Sequence, residues 1–527
     1  MSEKWLGYRW LAHRYGIAPV QPFPVESCIG PTRKSSRLDG MVRETYTYAN
    51  PPADTLATHV TFALKHEGVF LEHLSRLFEA IPRQALIDWV LDERTGQYAR
   101  RAGFLYEWLT GDTLEVVPDV TAGAYIDVLD PNTYLVSQAP INNARWRVRD
   151  NLPGTRSFCP TVRRTEVVRK AEQYDIPSQI EALQAEYGVD TLRRSAVWLT
   201  LKESRASFEI EHEQDRGDRV KRFAAVMEAR TGTYESPLAR DALTELQREI
   251  LGNVTTLTSF GVRRSPVFVG SVDRFTNVLH YVAPHWADVE GMLSGLETFE
   301  TRTRGAAPIA RAATVAFGFV YVHPFADGNG RLHRFLINDI LRRDNAVPRP
   351  FILPVSATIT SKPQALAAYD QVLEVFSKPF MQRYGSMAAF EERRKYEDGV
   401  TSDLKFAAYK DAAHAWRYPD LTAHVEYLAD IVDKTIRFEM REEAALLRRW
   451  ENARLAVKEV IEGPNQDIDR IIRSVRDNHG SISNKLRRDF PVLEDSGLAD
   501  QIAAAIERAF GVDTLGSTGA GIGDESA

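Results

Sequence analysis

The sequence predicts a mainly helical protein, and three observations carry that prediction. Pro308 to Val322 is almost wholly apolar over fifteen residues, with Arg311 its one charged residue. That is long for a strand and right for a buried helix, with Pro308 suited to its first turn. Beyond it, Leu332, Phe335, Leu336 and Ile340 recur at i, i+3, i+4 and i+8, one face of an amphipathic helix. Residues from about 176 to 385 read as a run of helical patterns with one hairpin-like interruption, VRRSPVFVGSVDRFTNVLHYV.

The remaining elements follow in chain order. At 527 residues the chain is too long for one core and divides into two to four domains. Residues 1–165 form a mixed, mostly helical region with some strand. LATHVTFALKHEGVFLEHLSRLFEAI reads as helix broken near Gly68, and QYARRAGFLYEWLTG as a helix stopped by Gly111. Arg145, Arg147 and Arg149 at spacing two suggest a strand with one basic face, either a solvated face or a binding patch. A loop-rich passage from Asn151 to Arg169 marks a boundary, after which 166–389 form the core. Residues 390–510 read as a helical, strongly charged domain, and 511–527, Gly-rich without large side chains, as a disordered tail. GAGIG in that tail follows no strand and opens no helix, so it is not a nucleotide loop.

Composition excludes several classes. With 44% hydrophobic and 26% charged residues this is an ordinary globular chain, and a net charge of −6 gives no global reason to expect nucleic acid or an anionic membrane as partner. Cys28 and Cys159 make neither a disulfide framework nor a zinc knuckle, which fits a reducing compartment. The charged N-terminus does not read as a signal peptide, and no uncharged apolar run reaches membrane-spanning length. A cytoplasmic location is expected.

Between the buried helix and the amphipathic one lies HPFADGNGRLHR, His323 to Arg334. A helix N-terminus presents free N–H groups and a dipole that favour an anion. Gly328 and Gly330 let backbone approach a phosphate, and the amide of Asn329 can donate to it. Asp327 is a hard oxygen ligand suited to Mg²⁺ that also binds substrate phosphates. Arg331 and Arg334, one turn into the helix, can clamp further phosphates. His323 is the natural general base. Singly, each has an ordinary explanation: a structural histidine, a turn, a capping aspartate. Together they point to a polyphosphate site beside a base, without naming a reaction.

The stretch is identified as a Fic-family signature, His-Pro-Phe-x-(Asp/Glu)-Gly-Asn-Gly-Arg-x-x-Arg, matched at every defined position. VFVGSVDRFTNVLHYVAPHWADVEGMLSGLETF resembles the flap hairpin and helix that precede it in that family. The resemblance covers about 190–385 and implies a helical core with one small flap. It also implies transfer of AMP from ATP, with Mg²⁺, to a Ser, Thr or Tyr hydroxyl of a target protein and of the enzyme itself. His323 would deprotonate the hydroxyl and Asp327 hold Mg²⁺. Gly328, Asn329 and Gly330 would line the anion hole, while Arg331 and Arg334 would take the β- and γ-phosphates. Val267, Phe268 and Val269 would pair with the target backbone, and Phe325 would anchor the loop in the core.

Many Fic proteins also resemble one another in an inhibitory helix, (Ser/Thr)-x-x-x-Glu-(Gly/Asn), whose glutamate pairs with the second signature arginine. Two stretches compete here. SSRLDG, Ser35 to Gly40, has Asp39 for the glutamate; SFEIEH, Ser207 to His212, keeps Ser207 and Glu211 but ends in His212. Glu211 is favoured, in a helix near 195–212, because a lost turn-ending residue is easier to absorb than a shortened carboxylate. The alternation in SFEIEHE leaves an edge strand as the alternative. If Glu211 pairs with Arg334, the wild type is weakly active.

DIDRIIRSVRDNHGSISNKLRRDFPVL has a weak helix-turn-helix look, but acidic residues interleave its basic ones and a packed helical pair is the simpler reading. The rival functions are removal of AMP, or transfer of UMP, phosphocholine or phosphate, at the same site. From another class comes a nucleotide-sensing, DNA-binding regulator, against which His323 counts because binding alone needs no base. The sequence leaves the target and a homo-oligomer open.

Overall fold

The computed structural model describes residues 4–38, 41–48, 51–213, 217–253, 255–273 and 276–511. It is 58% helical. The chain forms two compact units, Met1–Pro177 with Thr200–Lys434, and Ser178–Leu199 with Thr435–Ala527. These are drawn differently from the sequence boundaries at 165 and 389. An apolar cluster that runs from Tyr8 through Trp146 and Cys159 takes in Tyr418. Polar bonds join the same regions: Ser75 Oγ to His414 Nδ1 at 2.8 Å and Arg76 to both Tyr384 (2.9 Å) and Asp411 (3.1 Å).

In the first unit the N-terminal region has a four-stranded sheet, ordered Lys4–Trp5, Val25–Ile29, Met41–Tyr46, Lys34–Leu38, whose central pair is parallel. The helix Leu56–Phe62 passes through a π turn to Gly68 at φ 93°, and a second helix runs Leu71–Ala80, so the break falls where glycine supplies it. The helix Gln97–Thr110 ends on Gly111 at φ 81°. The expected basic strand is only Val148–Asp150. Arg147 sits in a turn at φ 50°, Arg145 pairs with Glu107 (3.0 Å) and Arg149 with Asp127 (2.7 Å). Arg145 and Arg149 are thus held by separate acidic partners and Arg147 gives its Nε to Gly123 O, and only Arg149 of the three lies in the strand.

The centre of the unit is the helix Pro308–Val322, packed against Asn329–Arg343 and Trp286–Arg302. Its one charged residue is accounted for. Arg311, wholly buried, donates Nη2 to Glu300 Oε1 (2.9 Å) and Nε to Asp344 Oδ2 (3.1 Å), a paired charge of the kind a core tolerates. Leu332, Phe335, Leu336 and Ile340 of the following helix are all at 0% exposure, as their period requires.

Two antiparallel hairpins flank this core. The first, Phe268–Asp273 with Thr276–Val282, carries a bulge at Val269/Gly270. The second, Ala388–Lys395 with Thr401–Phe406, occupies a stretch that reads as helical in sequence. Its first strand, AAFEERRK, is exposed from Ala389 onward, so no buried face imposed the alternation that marks a strand.

The second unit has its own core, including Ala453, Val457, Ile468, Ile472, Ile502 and Ile506, beneath helices Arg441–Lys458, Asn465–Asp477, Asn484–Asp489 and Ser496–Gly511. Its cations are largely engaged within it: Arg454 with Asp469 (2.5 Å), Arg470 with Asp489, and Arg476 over the Phe510 ring at 4.0 Å. Of the tail, residues 512–527 lie outside the described residues. No described helix is long and apolar enough to cross a membrane.

Candidate active site

The apolar helix stops because its C-cap, His323, adopts φ 49°, a left-handed conformation that a non-glycine residue takes only when its surroundings impose it. The loop turns back at Gly328, φ 93°, into the helix that starts with Asn329. Asn329 builds that turn. Its Oδ1 accepts from Phe325 N–H (3.0 Å), its Nδ2 donates to Phe325 O (2.8 Å), and it is 3% exposed. In this structure the amide, which the sequence offers as a phosphate donor, gives its oxygen and one of its two N–H groups to Phe325 and so clamps the loop. Phe325 beneath it is at 0% exposure, against Phe319. Buried Gln247, which no sequence pattern marks, holds the loop from outside, its Nε2 donating to Asp327 O (2.9 Å).

Nδ1 of His323 lies 3.1 Å from Val320 O. A carbonyl only accepts, so Nδ1 carries the proton and Nε2 keeps its lone pair. Burial, reinforced by the Arg263 guanidinium and only partly opposed by Glu211 and Asp327, lowers the imidazole's pKa to about 4. His323 is thus a neutral base at physiological pH.

Glu211 meets the second arginine. The helix Val189–Ile210 ends just before it, with a helical turn, not an edge strand, at Ser207 and Phe208. Buried Arg334 donates Nε to Ser207 Oγ (2.7 Å) and Nη2 to both Ser207 O (3.2 Å) and Glu211 Oε1 (2.5 Å). Burial pushes the Glu211 carboxyl up, but Arg334 and Arg331 outweigh it and hold its pKa below the ordinary value. The carboxylate also fills the helix start: a Cβ added at Gly330 would stand 1.9 Å from Glu211 Oε1. His212, where the family pattern has Gly or Asn, takes φ 54°, the conformation those two residues adopt most readily.

Arg331 is engaged as well. Its Nη2 lies 3.2 Å from Asp327 Oδ1 and 3.2 Å from Glu213 Oε1, and Glu213 Oε2 reaches Arg219 at 3.0 Å. Glu213, absent from the sequence reading, was signalled only as the last acid of SFEIEHE. These residues, with Leu251, Asn253, Thr255 and Thr256, line a cavity of about 560 Å³. Asp327 is half exposed there; its Oδ1 also accepts from Gly328 N–H (2.6 Å), while Oδ2 makes neither contact.

Of the flap residues, Val267 O accepts from Ala283 N–H (3.1 Å), the Phe268 ring packs edge-on against Phe390 at 5.4 Å, and Val269 is 42% exposed. The competing stretch is elsewhere. Ser35 lies in the strand Lys34–Leu38 with its hydroxyl on Glu44 (2.7 Å), and Asp39 lies outside the described residues.

Residues 237–341 match the model of the Fic/DOC family. They are a Fic domain. Protein adenylyltransferase fic-1 from Caenorhabditis briggsae and from Caenorhabditis elegans are each 38% identical over 116 residues, 22% of this chain and 21% of theirs. Protein adenylyltransferase Fic from Aedes aegypti is 31% identical over 106 residues, 20% and 19% of the two chains. The crystal structure of a Fic family protein from Desulfovibrio desulfuricans G20 overlaps 66% of this chain and 84% of its own, with 16% identity and a TM-score of 0.35. The chain thus matches about a fifth of the length of these curated relatives. The Fic domain so matched contains His323 to Arg334 but not Ser207 or Glu211.

Proposed function

We propose that the chain is a protein adenylyltransferase, moving AMP from ATP to a Ser, Thr or Tyr hydroxyl of a target protein and of itself, and held off by Glu211. The observation that carries this is a neutral imidazole beside a helix start whose phosphate position is taken by a carboxylate hydrogen-bonded to Arg334. Pure binding would need no base.

In this reading Nε2 of His323 accepts the proton of the attacking hydroxyl. That oxygen forms its bond to the α-phosphorus as the bond to the β-bridging oxygen breaks, and pyrophosphate leaves. The backbone N–H groups of the Gly328 to Gly330 turn serve the phosphates, with Arg331 on the β- and Arg334 on the γ-phosphate. Asp327 suits Mg²⁺, since one carboxylate with an oxygen to spare fits a cation that takes its other ligands from phosphate and water. Bound there, Mg²⁺ would neutralise charge on the phosphates. The exposed Val269 edge of the flap is where the target backbone would pair. Two buried, unpaired cysteines support a cytoplasmic setting.

The test is incubation of wild type, Glu211→Gly and Glu211→Gly/His323→Ala with α- and γ-labelled ATP. Protein-bound label only from the α-position, raised by the first substitution and abolished by the second, supports AMP transfer. Label only from the γ-position means a kinase. No label, with DNA binding, means the regulator.

A further inference from the structure

Arg263 lies just ahead of the flap and is 1% exposed, yet among the described residues no carboxylate forms an ion pair with it. Its whole fork is directed at backbone carbonyls. Nε donates to His323 O (2.7 Å), Nη1 to Ser265 O (2.8 Å) and Nη2 to Pro284 O (2.6 Å), while its own N–H donates to Pro324 O (2.9 Å). Ser265 leads into the first flap strand and Pro284 follows the second. One planar group therefore fixes both feet of the flap and the carbonyl of His323 at once, which the single point charge of a lysine cannot do.

We infer that Arg263 is a positioning residue for this site, locking the feet of the target-docking flap to the backbone of His323. The inference rests on the adenylyltransferase reading. Its neighbour shows the contrast. Arg264 is half exposed, pairs with Glu397 (3.0 Å) and gives its N–H to Asp398 Oδ2 (2.6 Å), ordinary surface contacts. Asp398 Oδ2 also accepts from Ser265 Oγ (2.7 Å), so the turn of the second hairpin braces the same foot from the other side.

The positioning role follows from the geometry. A target strand on the flap presents its hydroxyl at a place set by the flap feet, and the base is set by the His323 backbone. Tying these together fixes the distance between nucleophile and base, where small errors are expensive. The charges that face His323 are Arg263, which opposes protonation, and Glu211 and Asp327, which favour it. Once Glu211 gives way to nucleotide, Arg263 is the constant cation among them.

The test uses the full chain in a Glu211→Gly background. Arg263→Met should lower kcat about tenfold or more with KM for ATP changed less than about threefold, because flap and base lose register while nucleotide contacts stay. The acid limb of its pH–rate profile should move up by about half a unit or more, as a cation beside the imidazole is lost. Arg263→Lys should keep the limb in place while kcat still falls. An unmoved limb with unchanged kcat in a folded Arg263→Met overturns the inference, and so does a limb that moves equally in Arg263→Lys. NMR titration of the His323 imidazole gives a readout without turnover. Its midpoint should rise in Arg263→Met and hold in Arg263→Lys, and an unmoved midpoint in both counts against the role. If Glu211→Gly transfers no α-label, the adenylyltransferase reading fails on its own, and the titration still decides whether Arg263 governs His323. If Arg263→Met does not fold, Arg263→Lys and its titration decide.

Discussion

Replacing Glu211 by glycine should switch the site on, and the structure sets the size of the effect. The carboxylate makes one strong contact, to Arg334 Nη2 at 2.5 Å, and Arg334 is buried. A hydrogen bond between charged groups is worth about 1.5–3 kcal/mol. The Glu211 side chain is 36% exposed, so solvent screening puts the value at the lower end. About 1.5 kcal/mol corresponds to roughly a tenfold rise in the phosphate-accepting population. The substitution leaves the arginine in place. Ser207 still accepts from Nε and Nη2, so Arg334 stays aimed and loses only the competitor. Glu211 also follows the last helical residue, Ile210, so glycine there breaks no helix.

The assay is transfer of α-label from ATP onto protein, with ATP affinity measured in parallel on the Glu211→Gly/His323→Ala protein, which cannot turn over. Glu211→Gln separates charge from bulk: if repulsion of the triphosphate dominates, it should match glycine, and if occlusion over Gly330 dominates, it should match wild type. A Glu211→Gly protein that is folded, binds ATP no tighter and transfers label within twofold of wild type would refute the reasoning.

Glu213→Gln should raise transfer further in the Glu211→Gly background by a fewfold, since it frees Arg331; an unchanged ATP KM would show that Glu213 does not compete there. Asn329→Ala should destabilise the first unit by about 2–4 kcal/mol in urea unfolding, because it orphans a buried N–H and a buried C=O of Phe325. Buried Glu203, one turn before Ser207 and bonded to Ser356 N–H (2.6 Å) and Oγ (2.7 Å), has its pKa pushed up by burial to about 7 from 4.5. Folded protein then holds a proton that unfolded chain has released, so its contribution is present below pH 4.5 and is lost as pH rises to about 7. The melting temperature of Glu203→Gln relative to wild type should therefore climb across that window and be flat above it. For Glu211 the sign is opposite. Its pKa is depressed, so the pair with Arg334 persists at neutral pH and is lost only in acid below the ordinary 4.5, where the melting temperatures of wild type and Glu211→Gln should converge.

What the sequence disclosed and what it hid divide along one physical line. The helix–loop–helix around His323 was legible because each part is local: an apolar run, two glycines, a period of 3.6. Glu211 was reachable through a spacing, although its partner Arg334 lies 123 residues away. The parallel pairing of Val25–Ile29 with Met41–Tyr46 and the hairpin at 388–406 were not legible, since neither shows an alternation that its burial would have imposed. Side-chain roles set by tertiary contact were the least legible. That Asn329 also holds Phe325 has no local signal, and of the tandem Arg263-Arg264 one is buried and the other half exposed. His212 joins the two cases. Its departure from the family pattern argued against Glu211, yet its backbone takes the left-handed conformation that Gly or Asn would supply there. What that position constrains is the backbone turn that delivers the carboxylate to Arg334. A histidine held there by its surroundings adds strain of order 1 kcal/mol to the closed arrangement. His212→Gly should relieve that strain and so deepen inhibition, lowering label transfer by the wild type about fivefold, whereas a rise would mean that the imidazole itself helps close the site.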